Sequence, residues 1–274
     1  MAVKLIACDM DGTLLDNKGS YDRSRFEKML NSLKEKDIKF LVATGNNIGR
    51  LSLMFDGLFD DLSFVAENGS HLLENGKTFS RKGISDDLVC DFLDFYHDKL
   101  VDYRVMISTA ESSYVLEGAT FDFSRAAIEK EQLDKFLSRI KLLKSFSELP
   151  NEPFLKINMA IPVKHENEII SSFNRNFKGP LTAVTSGYGA VDVTPKGIHK
   201  AWGIEQFMKK WHIKPEEVMA FGDAPNDIEM LKLAKYSYAM ANAPQDVKDS
   251  GHFIAPSNDD NGVFRVIETQ ILER

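Results

Sequence analysis

The run Val3-Lys4-Leu5-Ile6-Ala7-Cys8 passes without a break into Asp9-Met10-Asp11-Gly12-Thr13. Short, largely apolar and bounded by a turn, its first part reads as a buried strand. The segment after the strand constrains the fold further: two carboxylates two residues apart, a glycine that permits a tight turn, a hydroxyl, and Leu14-Leu15, which tuck the loop back inward. In extended geometry positions i and i+2 point the same way, so Asp9 and Asp11 are expected to converge past the strand's end. Like charges that close repel, and the arrangement persists only if a cation sits between them or one carboxyl holds a proton. A solvated Asx turn is the plain alternative for this segment by itself.

Periodicity supplies the frame. Phe26, Met29, Leu30 and Leu33 fall on one helical face, 38–43 reads as the next strand, and Ile48, Leu51 and Met54 mark a short helix. Residues 63–66 read as a third strand, and Asn75-Gly76 as a hairpin turn. Strand and helix in alternation give a parallel sheet. From Gly83 the texture changes. Ser85 can cap a helix bearing Leu88, Phe92 and Phe95. Strands are expected near 103–108 and 113–117, a helical stretch near 124–141, a strand at 155–161, a helix at 165–174, and strands near 181–186 and 189–193. After Pro195 the alternation resumes, with helices near 199–210 and 226–233 and strands at 218–222 and 236–241. The expected fold is α/β: a doubly wound parallel (Rossmann-like) sheet core from 1–82 plus 195–274, with an α+β module, 83–194, inserted.

Composition narrows the function. The chain has 274 residues, 43% hydrophobic and 27% charged, with a net charge of −7. That balance argues against nucleic acid or an anionic membrane as the main partner. No stretch approaches a membrane span, and the N-terminus lacks a basic-then-apolar leader. Cys8 and Cys90 cannot make a disulfide framework or a zinc cluster, so a cytoplasmic location is expected. There is no phosphate loop of the G-x-x-x-x-G-K-[ST] kind, no G-x-S-x-G elbow and no H-E-x-x-H pair.

In an open parallel sheet, ligands sit beyond the carboxyl ends of the strands. Three strands end there in polar loops: Asp9 and Asp11, then Thr44-Gly45-Asn46, then Gly222-Asp223-Ala224-Pro225-Asn226-Asp227. Lys200 opens a helix between the last two. Each has an ordinary reading, as a helix cap, a surface lysine, or acids complementing a helix dipole. Together they describe a rim that would repel an anion. One carboxylate facing a phosphate dianion at about 4 Å costs about 8 kcal/mol at an effective dielectric of about 20. A hard divalent cation with oxygen ligands removes that cost, and with no His or Cys in these loops zinc is disfavoured.

These segments, with Gly197-Ile198-His199-Lys200 and Ala239-Met240-Ala241-Asn242-Ala243, resemble the haloacid dehalogenase-like (HAD) phosphohydrolases, and within them the Cof-type sugar-phosphate phosphatases. The resemblance implies a Mg²⁺-dependent hydrolysis of a small phosphorylated metabolite, with Asp9 as nucleophile forming an aspartyl-phosphate and Asp11 as general acid and then base. It implies Mg²⁺ held by Asp9, the backbone carbonyl of Asp11, and Asp223, with Asp227 orienting from outside the coordination shell. Phosphate contacts are implied from the Met10 N–H, Thr44, Gly45, Lys200 and Asn226, and the inserted module becomes a cap. Lys196 is a nearby competitor for Lys200, which fits the motif's spacing better. Family members often carry Arg after Thr-Gly, so Asn46 is expected to lose a cation contact. A phosphotransferase or mutase, or a regulator that binds without turnover, are the rival readings. The chain is expected to be a monomer or homodimer. Lys156 is expected on a solvated strand face of the cap, Asn68-Gly69 near the cap linker is first of all a turn, and Phe92, Phe95 and Tyr96 are expected in the cap's own hydrophobic core.

Overall fold

The computed structural model describes residues 3–120, 134, 137–187 and 189–273. Strand β1 (Leu5–Cys8) is buried along its whole length because it lies in the middle of an eight-stranded sheet, flanked by β2 (Lys39–Ala43) and β12 (Val218–Gly222), both parallel to it. Parallelism continues outward through β3 (Ser63–Ala66) on one side, and through β13 (Tyr236–Met240) and β14 (Phe253–Ala255) on the other. The hairpin strands β4 (His71–Glu74) and β5 (Lys77–Arg81) then pair antiparallel and close that edge. At their turn Asn75 and Gly76 both have positive φ, the twist-matched geometry that this dipeptide favours.

Alternation along the strands sends side chains to two faces. Ile6, Cys8, Val42, Phe64 and Phe221 join Phe26 and Met29 of the helix Arg23–Glu35 on one side. Leu5, Ala7, Leu41, Val65 and Ala220 meet Ile204 and Phe207 of the helix Lys200–Trp211 on the other. Both faces are covered by helices, as a doubly wound parallel sheet requires. Trp202 and Trp211 pack at the edge of the second cluster.

A second sheet of six strands has the order β10-β11-β9-β6-β7-β8. Its members are β6 (Met106–Ser108), β7 (Ser113–Leu116), β8 (Ile140–Leu143), β9 (Lys156–Ala160), β10 (Leu181–Gly187) and β11 (Ala190–Pro195). Every pairing is antiparallel except β7 with β8. All six lie in sequence between β5 and the helix Lys200–Trp211, so this α+β module is inserted into the chain that builds the larger sheet. Two helices, Asp86–Phe95 and Glu166–Asn176, bury Phe92 and Phe173 against it. Phe92 and Tyr96 meet Phe173 there, which makes them core. The helix expected near 124–141 falls largely outside the described residues, and its last residues correct the expectation, because Ile140 and Lys141 open β8. Edge strand β14 escapes the sequence pattern, being three residues long with Phe253 and Ile254 exposed.

Candidate active site

The carboxyl ends of β1, β2 and β12 deliver the polar loops to one rim. Asp9 keeps one sheet bond, its N–H to the Phe221 carbonyl at 3.0 Å, and is itself only 5% exposed. The chain then turns through Gly12 at φ +77°, where a β-carbon would lie 2.3 Å from an Asp223 carboxylate oxygen. Only glycine lets the β1 and β12 loops approach so closely. The Thr13 hydroxyl donates to Asp223 Oδ1 at 2.7 Å, and Asn242 Nδ2 donates to the Gly12 carbonyl at 2.8 Å, which ties the loop down from β13's end.

Lys200 is buried at the helix start, its Nζ 2.5 Å from Asp9 Oδ1 and 2.7 Å from Asp227 Oδ1, whereas Lys196 is exposed. Burial works against the ammonium, yet Asp227 and Asp9 carry its pKa above the ordinary lysine value. The other Asp227 oxygen accepts the backbone N–H groups of Asp223 and Ala224, both at 3.0 Å. Asp227 is therefore engaged at both oxygens and shapes the β12 loop. Asp9, Asp223 and Asp227 each present a carboxylate oxygen within 4.8 Å of the others. Burial, with Asp227 adding to it, lifts Asp9 well above the carboxylate range and pushes Asp223 up to about 7. The Asp223 carboxyl also lies within hydrogen-bonding reach of Asp9. Two acceptors so placed require a shared proton or a cation between them, and this all-oxygen set, with one amine against three acids, fits a hard divalent ion.

The side chain of Asp11 does not join this trio. The backbone leaves strand geometry just past Asp9, so the i, i+2 alignment expected from the sequence is broken. Its carboxylate, 46% exposed, instead pairs with Arg50 at 2.6 Å and accepts from Asn46 Nδ2 at 2.6 Å. Asn46 thus lacks the cation expected at its own position, but Arg50, one helical turn on, brings a guanidinium to the same place and also donates to Asn46 Oδ1 at 2.6 Å. Met10 is fully buried, and its backbone carbonyl accepts the Leu15 N–H at 2.9 Å. Thr44 is buried, and its Oγ1 accepts from Asn46 twice, from the backbone N–H at 3.1 Å and from Nδ2 at 2.7 Å. Asn226 Nδ2 donates to Asn68 Oδ1 at 3.1 Å.

A second buried cluster corrects the reading of Lys156. It is 6% exposed, and its Nζ reaches the Gly45 carbonyl at 2.5 Å, Glu67 at 2.9 Å and Asp192 at 3.6 Å. Asp192 accepts from Asn68 Nδ2 and Ser186 Oγ, both at 2.5 Å, and from Asn158 Nδ2. Sequence reasoning does not single out Glu67, Asn68, Lys156 and Asp192 as a group. A signal exists all the same: Lys156 and Asn158 share one face of β9, and Asp192 stands opposite Asn158 in the register. Polar residues on the same face of neighbouring strands mark a face turned toward something polar.

A sequence model of haloacid dehalogenase-like hydrolases matches residues 6–267. The chain belongs to that family. This HAD-like hydrolase is 30% identical over 268 residues to the 5-amino-6-(5-phospho-D-ribitylamino)uracil phosphatase YbjI of Escherichia coli (strain K12), covering 98% of this chain and 96% of that protein. Its fold matches SMU.1108c from Streptococcus mutans UA159 with a TM-score of 0.89 at 36% identity, over 98% of this chain and 99% of that one. The HAD subclass IIB sugar phosphatase BT4131 shares the fold at a TM-score of 0.79 and 24% identity, over 97% and 98% of the two chains. The protein is thus a HAD-family phosphatase of the Cof type, and the inserted module is its cap. Among the described residues no helix is long and apolar enough to cross a membrane.

Proposed function

We propose that this phosphatase is a Mg²⁺-dependent phosphomonoester hydrolase acting on a small phosphorylated sugar or sugar alcohol, through an aspartyl-phosphate on Asp9. The observation that carries the reading is the convergence of Asp9 and Asp223, at the ends of β1 and β12, with the buried Lys200 at the start of the helix Lys200–Trp211. The phospho-ribityl group named in the relative's activity supports a phosphorylated polyol as the substrate class. The division into a core of 1–82 plus 195–274 and a cap of 83–194 belongs to the same proposal.

In this reading an Asp9 carboxylate oxygen attacks phosphorus in line with the leaving oxygen, and the P–O bond to the alcohol breaks as the new one forms. Asp11 gives its proton to the departing alkoxide, then takes one from the water that attacks the aspartyl-phosphate, releasing inorganic phosphate and restoring Asp9. Lys200 offsets charge on Asp9 and on the transferring group. The Thr44 hydroxyl, the Met10 and Gly45 N–H groups and Asn226 hold phosphate oxygens. Asp9, Asp223 and the Asp11 carbonyl are the groups that would hold Mg²⁺, whose role is to neutralise charge where an anion meets acids. Asp227 keeps the β12 loop and Lys200 in place.

The test is hydrolysis of p-nitrophenyl phosphate and of a set of sugar and polyol phosphates by the purified protein. Activity should depend on Mg²⁺ and vanish with chelator, and Asp9→Asn should lose about 10³-fold or more in kcat/KM while keeping its fold. Full activity in Asp9→Asn would refute the nucleophile.

A further inference from the structure

The Lys156 cluster does something the catalytic rim does not: it joins the cap to the loop after β2. Thr44 N–H donates to Val65 O at 2.8 Å, Asn68 N–H to Thr44 O at 3.0 Å and Glu67 N–H to Asn46 O at 3.1 Å. The core therefore fixes Thr44 and the far side of Asn46. The peptide between Gly45 and Asn46 is held differently, because its carbonyl faces the cap and takes the Lys156 ammonium at 2.5 Å. The N–H of that same peptide points the opposite way, into Thr44 Oγ1. With Asn46 Nδ2 on the same oxygen, both acceptor positions of the Thr44 hydroxyl are filled, and its remaining capacity is to donate its proton.

The surroundings are built to keep Lys156 there. Gly45 has no side chain, and a β-carbon on it would lie 3.2 Å from Asp192 Oδ2 and 3.3 Å from Asn68 Oδ1. Glu67 and Asn68 both hold left-handed backbone, at φ +50° and +53°, a conformation that non-glycine residues seldom adopt. The strained pair aims Glu67 at Lys156 and Asn68 at Asp192. A lysine serving only to glue cap to core would need the carboxylates alone, yet the shortest contact of Lys156 is to the loop's carbonyl.

We propose that Lys156 is a positioning residue: from the cap it clamps the Gly45–Asn46 peptide, and thereby sets the Thr44 hydroxyl as a donor toward the substrate's phosphate when the cap is closed. Closure and completion of the phosphate cradle are then one event. The inference rests on the proposed phosphate contact of Thr44.

The test uses the full chain with Mg²⁺, inorganic phosphate as the probe, and amide hydrogen exchange as a readout independent of turnover. Lys156→Met should weaken phosphate binding, measured by calorimetry, about tenfold, the loss of one hydrogen bond to a charged group. It should speed exchange of the Asn46 amide by a similar factor. Asp192→Asn, which leaves the Gly45 contact in place, should leave the Asn46 amide as in the wild type. If Lys156→Met does not fold with Glu67 unpaired, the double variant Lys156→Met, Glu67→Gln carries the same expectation with the charge balanced. Phosphate affinity within twofold of wild type and an unchanged Asn46 amide would overturn the proposal. So would an Asp192→Asn variant that speeds Asn46 exchange as much as Lys156→Met, since that is simple adhesion. Should the wild type bind no phosphate, the functional reading fails, and the Asn46 amide still decides the clamp.

Discussion

Two buried lysines sit among carboxylates, Lys200 at the start of a helix of the larger domain and Lys156 on a strand of the cap, and they are wired differently. Around Lys200, Asp9, Asp223 and Asp227 leave negative charge in excess, with one amine against three acids whose oxygens lie within 4.8 Å of one another. Around Lys156, the hub Asp192 is met by Asn68, Asn158 and Ser186, and the amine is met by Gly45, Glu67 and Asp192. Burial works against the ammonium in both, and neighbouring acids outweigh it, holding each lysine above its ordinary pKa. The difference is what is left over. The core cluster is incomplete without another charge and is shaped to receive; the seam cluster meets its acids with an amine, two amides and a hydroxyl and is shaped to hold.

The largest effect should come from unbalancing the receiving side. Asp223→Asn is expected to abolish most of the Mg²⁺-dependent rise in Tm, corresponding to an affinity at least about 100-fold weaker. Scanning calorimetry with and without the ion reads it, and an undiminished rise would break the contrast. On the holding side, Glu67→Gln leaves the Lys156 ammonium buried with one acid fewer. It should cost about 3 kcal/mol in urea unfolding with Mg²⁺ affinity unchanged, and equal loss of both would mean the two clusters are one.

Arg50 and Asp11 form a third pair, at the open mouth. Because Asp11 is half exposed, Arg50→Gln should shift Tm by less than about 1 °C. It should lower kcat/KM for an alkyl phosphate about tenfold, and less for p-nitrophenyl phosphate, whose leaving group needs little help from an acid. The smallest effect concerns His71, buried on β4, where burial and then the Arg81 charge hold its pKa down at about 4. Arg81 Nε donates to its Nε2 at 3.1 Å, which requires a neutral ring. Between pH 6.5 and 4 the unfolded chain takes a proton that the folded chain refuses, so stability falls as pH falls through that window. His71→Gln should flatten the decline in Tm between pH 6.5 and 5 by about 2 °C.

Much of this is legible in the chain itself, and the reasons differ by region. Strands β1, β3 and β12 are short apolar runs with turn signals at their ends, so their position and the loops that leave them come from local pattern. Motif spacing is enough to prefer Lys200 to Lys196. The seam is not legible, because Lys156 sits between Leu155 and Ile157 in a strand whose other face is core. Nothing local tells which way the polar face looks until β11 brings Asp192 beside Asn158. The departure of Asp11 from Asp9 is hidden for a related reason: one non-extended turn undoes a rule that holds only while the strand lasts. Arg50 lies one turn beyond the position where the sequence leads one to seek a cation.

β1 sits at the middle of its sheet, and one of its two neighbours, β12, begins more than two hundred residues later. On a ribosome moving at about 5–20 residues per second, β1 waits roughly 10–40 s for that partner, with the whole cap emerging in between. During that interval one flank of an apolar strand has open hydrogen-bonding groups, and Asp9 has neither Lys200 nor Asp223 to meet. The nascent protein must therefore keep this unfinished edge from pairing elsewhere, and early assembly of the cap on its own core would shorten the chain separating the two halves.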